Sequence, residues 1–196
     1  MARAWRRRLT VGVFAVFGAS ALAGAAQAGE QFVDENGVAN FGYDVVAYHT
    51  ALAATPGSAD FTADHNDAVF YFASAENRDL FLADPARYAP AYDGHCAFAL
   101  VSHKKLTIDP EAFSIVDPET LTLVDPETYS PDEAGVLYLN YSSGVNDEFN
   151  DDLAGNIAKA DFAWTDCLEN QPAARPNKSF RDFFGGKRPK ECPAAE

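Results

Sequence analysis

The sequence predicts an α+β fold in which two β-hairpin–helix units pack as a single domain. Three observations carry this reading. The stretch Phe70 to Cys96 reads as a strand, a capped helix, a proline stop and an aromatic-rich turn. The second half echoes the first at an offset of 68 residues: Ser74 matches Ser142, Asp79 matches Asp147, Phe81 matches Phe149 and Asp84 matches Asp152. An apolar run precedes each of the two helices, Val69 to Ala73 in the first unit and Val136 to Tyr141 in the second.

Taken in order, the chain opens with a signal peptide. Arg3, Arg6, Arg7 and Arg8 form a basic start, Leu9 to Ala25 is apolar, and Ala26-Gln27-Ala28 is a small-x-small cleavage site. Residues 1–28 are therefore expected to be removed, leaving a periplasmic or secreted protein with no stable membrane insertion. Within Phe41 to His49, Val45 to Tyr48 suit a buried strand or a tight helical turn, and Thr55-Pro56-Gly57 marks a turn. Phe61 to Ala63 and Val69 to Ala73 are predicted strands around His65-Asn66-Asp67. Ser74 is the predicted N-cap of a helix whose apolar stripe is Leu80 and Phe81, and Asp84-Pro85 ends or kinks it.

In the second unit, Phe113 to Val116 stands for the upstream strand. Gly155 to Trp164 continues as a closing helix, with Ile157, Ala160, Phe162 and Trp164 as its buried side. Asp109-Pro110-Glu111, Asp117-Pro118-Glu119 and Asp125-Pro126-Glu127 recur every eight residues and predict turns in an elongated hairpin or an inserted surface loop. Calcium is the sharper reading of these carboxylates, but the spacing lacks the glycine and alternating acids of known calcium loops. The domain is placed at 29–171. Residues 172–196 form a Pro/Gly-rich basic segment that predicts a mobile tail, with Phe180, Phe183 and Phe184 able to dock on the domain or on a partner.

Charge narrows the partners. The mature chain holds 11 basic against 29 acidic side chains, a net −18. Six of the basic ones lie in the tail, so residues 29–171 carry five against 26, or −21. Such a surface repels nucleic acid and anionic lipid and favours cations or a basic protein partner. Cys96, Cys167 and Cys192 meet an oxidising compartment. A Cys167–Cys192 bridge, which would clip the tail to the domain, is preferred to one involving Cys96, although spacing alone does not fix connectivity.

The chemistry-bearing residues are few. His95-Cys96 is the only nitrogen–sulfur pair close in sequence, and neighbouring side chains diverge on a strand or a helix, so a metal site there needs His49 or His103 folded alongside. Tyr43, Tyr48, Tyr88 and Tyr92 are candidates to line a small ligand pocket near His95; core packing is the alternative for them. No G-x-S-x-G, H-E-x-x-H or P-loop pattern is present, and no two carboxylates are marked as a catalytic pair, so no enzymatic activity is expected.

Gly42-Tyr43-Asp44, Val46-Ala47-Tyr48, Phe61-Thr62, the run Phe72 to Phe81, Asp84-Pro85, Tyr88-Ala89-Pro90 and Gly94-His95-Cys96-Ala97 together resemble exported members of the YHS domain family. The resemblance continues through Ile108 to Ala112 and Leu137 to Tyr141 to Ile157 to Asp161, covering most of 41–164, with Val116 to Ala134 as an insertion. It implies a non-catalytic binding module of YHS type with metal, copper or zinc, as the first ligand to test. The family's metal-associated versions carry two cysteines at positions that here are Ala47 and Ala73, so that ligand pair does not transfer. A metal-free interaction module, using the acidic face and the basic tail, is the alternative.

Overall fold

The computed structural model describes residues 30–169. The expected signal segment, the basic tail and Cys192 lie outside them. Among the described residues, no helix is long and apolar enough to cross a membrane.

The chain is α+β. A short helix α1 (Ala47–Thr50) leads to the hairpin β1 (Ser58–His65) and β2 (Ala68–Phe72), followed by α2 (Ala75–Ala83) and α3 (Pro85–Tyr88). α4 (Ala97–Val101) connects to a second sheet of β3 (Asp109–Asp117), β4 (Thr122–Leu123) and β5 (Val136–Asn140), ordered β4-β3-β5. α5 (Ser143–Asp151) and α6 (Leu153–Ala163) close the domain. Val45 to Tyr48 thus resolves in favour of the helical turn.

The internal echo is a real structural repeat. β2 and α2 correspond to β5 and α5 at the same offset of 68. The Ser74 hydroxyl accepts from Asn77 N–H, and the Ser142 hydroxyl from Val145 N–H, each satisfying an orphan donor of the first turn. Asp84 and Asp152 each end one helix and cap the next. Phe81 and Phe149 are both fully buried. Even the strand irregularity repeats. Ser58 pairs with Phe72 and Thr62 with Tyr71, and likewise Asp109 pairs with Asn140 and Phe113 with Leu139.

The difference lies between the strands. The first hairpin turns through Asn66 and Asp67 alone, both at positive φ, as a tight two-residue connection requires. The upstream strands match at an offset of 51 and the downstream ones at 68, so the second hairpin carries 17 additional residues. That insertion holds two of the three Asp-Pro-Glu units and strand β4. In all three units the Asp Oδ1 accepts from the backbone N–H two residues on, at 2.7 to 3.0 Å. The repeat is therefore three copies of one local side-chain-to-backbone turn.

Three apolar clusters form the core. One, around Phe70, Phe72, Phe81 and Tyr88, belongs to the first unit. A second, around Tyr92, Leu100, Tyr138, Phe149 and Ile157, belongs to the second unit and α6. The third, around Phe32, Tyr48, Cys96, Leu106 and Leu139, joins the two. Two expected core residues face solvent instead. Leu80 is 43% exposed, since the short α2 buries only Phe81. Phe162 is 39% exposed because the buried stripe of α6 runs through Leu153, Ile157, Ala160 and Ala163.

Candidate functional site

His49, His95, His103 and Cys96 are buried in separate places. His95 donates its Nδ1–H to the Tyr92 carbonyl at 2.9 Å and packs against Phe32 and Trp164. Burial holds its pKa down at about 3, helped by the nearby Lys105 ammonium. Cys96, adjacent in sequence, turns the other way into the joining cluster, where its thiol lies 3.7 Å from Asn140 Oδ1. His49 packs edge-on to Tyr88, with Nδ1 3.4 Å from the Tyr129 hydroxyl. Burial, then the Arg87 charge, lowers its pKa to about 4. His103 meets Phe162 edge to face. Among the described residues, no group of three His, Cys, Asp or Glu side chains is gathered as metal ligands would be.

The tyrosines are spread in the same way. Tyr43 and Tyr48 belong to the joining cluster, Tyr88 to the first-unit cluster and Tyr92 to the second-unit cluster. The Tyr48 hydroxyl donates to the Pro110 carbonyl at 2.8 Å, and that of Tyr92 to Asp161 Oδ1 at 2.8 Å. Their polar tips thus serve the fold.

Ala47 and Ala73, by contrast, share a partner. Asp44 lies fully buried between them. Its Oδ1 accepts from Val46 N–H at 2.8 Å and Ala47 N–H at 3.2 Å. Its Oδ2 accepts from Ala73 N–H at 2.8 Å and the Asn77 side-chain amide at 2.6 Å. The two positions singled out by the YHS resemblance are joined here by a carboxylate whose acceptor sites are taken by backbone and amide donors.

Cys96 is a free thiol, and burial raises its pKa to about 11. Cys167 is disulfide-bonded, while its expected partner Cys192 lies outside the described residues. A thiolate is the reactive form, so Cys96 is expected to be inert in the native state. Thiol titration of the mature protein should therefore count no reactive group before denaturation and one after it. Rapid native labelling of Cys96 would contradict this.

A concave feature lies in the insertion. A cleft of about 490 Å³ is bounded by Asp117, Glu119, Asp125 and Glu133, with Thr120 in the turn before β4, Thr122 on β4 and Tyr129 as a wall. Its lining contains four carboxylates and no lysine or arginine. The Asp117 carboxyl is held below its ordinary pKa by the Glu119 and Thr120 N–H groups, so it stays ionised. The wall is latched from the first unit. Arg87 donates to the carbonyls of Pro131 and Glu133, and Tyr129 reaches His49. The sequence marked this region only through its repeated Asp-Pro-Glu. Tyr129 and Arg87, far apart in the chain, carried no signal of their own.

No family model, no curated protein and no solved structure matches this chain.

Proposed function

We propose that this protein is an exported, non-catalytic binding module whose ligand is a basic protein segment held at the acidic cleft beside β4. The cleft carries the reading: four carboxylates rim a concavity with no cationic side chain in its lining, on a domain that is net negative. Complementary charge of this kind steers a basic partner and fixes its register. The leader-like start supports export, and the YHS resemblance supports a binding role. The first ligand that resemblance suggests, copper or zinc, finds less support, because His49, His95, His103 and Cys96 lie in separate core environments.

A dodecapeptide of alternating lysine and leucine, titrated into the mature protein, should perturb the backbone amides of Thr120, Thr122 and Tyr129 saturably. Neutralising the rim with Asp117→Asn, Glu119→Gln, Asp125→Asn and Glu133→Gln keeps the turn-forming Oδ1 acceptors. Four exposed ion pairs at about 0.5 kcal/mol each predict about 30-fold weaker binding in that variant. Equal affinity in both would overturn the reading. Metal analysis of the same untagged protein is the counter-test. Near-stoichiometric copper or zinc, retained through desalting and lost on joint substitution of His95 and Cys96, would transfer the function to a metal.

A further inference from the structure

We propose that the resting cleft is occupied by this chain's own basic tail, residues 175–190, which competes in cis with the external partner. The inference rests on the cleft being the site for basic segments. Three features point to this occupant.

Charge is the first. The tail holds Arg175, Lys178, Arg181, Lys187, Arg188 and Lys190, six of the mature chain's 11 basic residues, and the cleft rim holds four carboxylates without a counter-cation in its lining.

Apolar complementarity is the second. β4 is an edge strand of its sheet, and Leu121 just before it and Leu123 within it are 36% and 49% exposed. Phe180, Phe183 and Phe184 lie among the tail's charges and would cover those leucines. An edge strand also offers backbone hydrogen-bonding groups to an extended segment.

Reach is the third. Leu168, next to the last described residue, sits in the same core cluster as Val116, the neighbour of the cleft's Asp117. The ten residues from Leu168 to Lys178 span about 30 Å when extended, close to the width of a domain this size. A Cys167–Cys192 bridge would keep Phe180 and Arg181 near the apex of the resulting loop, about 40 Å from its base at most.

A tethered competitor acts at an effective concentration of about 1 mM, so a tail whose own dissociation constant for the cleft is about 0.1 mM weakens an added peptide about tenfold. The experiment compares the full mature protein with a variant in which Lys178, Arg181, Lys187, Arg188 and Lys190 are each replaced by glutamine. Both are titrated with the lysine–leucine dodecapeptide. About tenfold tighter binding by the variant supports the inference. Equal binding by both overturns it while leaving the cleft reading intact. No binding by either overturns both. Zero-length carbodiimide cross-linking of an equimolar mixture of ¹⁵N-labelled and unlabelled protein supplies the second readout. Links from tail lysines to Glu119, Asp125 or Glu133 within one isotopic species are expected. Links elsewhere on the domain, or mainly between species, would overturn occupancy in cis.

Discussion

Asp44→Ala is expected to destabilise the domain by about 4 kcal/mol, a large share of the 5–15 kcal/mol that keeps a domain of this size folded. Asp44 is fully buried, and its two oxygens accept from four donors. Three are backbone N–H groups on α1, its lead-in and the residue after β2, and the fourth is the Asn77 amide in the first turn of α2. Alanine leaves these donors without their acceptor, and each buried unsatisfied donor costs about 1–3 kcal/mol. Partial hydration keeps the total near the lower sum. Asp44→Asn should fall between wild type and Asp44→Ala. One oxygen still serves one pair of donors, but the amide NH₂ now points at the other pair. Urea unfolding at neutral pH measures the series. A loss below about 1 kcal/mol for Asp44→Ala would show that the carboxylate does not join the three elements as described.

That carboxylate also shows where sequence reading stopped. The capped helices were legible because their signals are local: a serine before an apolar turn and an aspartate before the next helix mean the same thing wherever they occur. Two such units at a constant offset made the repeat legible as well, and β2–α2 against β5–α5 bears it out. The role of Asp44 depends on Ala73 and Asn77, 29 and 33 residues away, and no local pattern encodes such a meeting. The cleft was half legible. Repeated Asp-Pro-Glu units announced turns, but the wall made by Tyr129 exists only because Arg87, over 40 residues upstream, grips the loop carbonyls. The helical stripes were misread for a simpler reason. Periodicity places Leu80 and Phe162 near apolar neighbours but does not say how wide a face the short helices bury.

The fold is expected to lose about 4 kcal/mol between pH 7 and pH 5, before most carboxylates titrate. Two histidines drive the loss. His95 is fully buried, donates to the Tyr92 carbonyl and faces Lys105, Phe32 and Trp164. His49 is buried between Tyr88 and Tyr129 with Arg87 nearby, and its Nε2 has no hydrogen-bond partner among the described residues. Burial dominates both shifts, to about 3 and about 4, and a neighbouring cation opposes the charged form in each case.

The sign follows from which state binds more protons. In the unfolded chain each imidazole titrates near 6.5, so below that pH the unfolded state takes up protons that the native state refuses. Stability is complete above pH 6.5 and falls as pH drops toward each native value. Integrating this difference from pH 7 to pH 5 gives about 2 kcal/mol per histidine. His49→Gln and His95→Gln should each remove about half of the pH dependence while keeping a hydrogen-bonding side chain in place. Urea midpoints at pH 7 and pH 5 decide the matter. If both variants lost as much stability as the wild type, carboxylates rather than buried imidazoles would set the acid limit of this fold. Because His49 touches Tyr129 behind the cleft, acid that charges it would also loosen the wall on which binding depends.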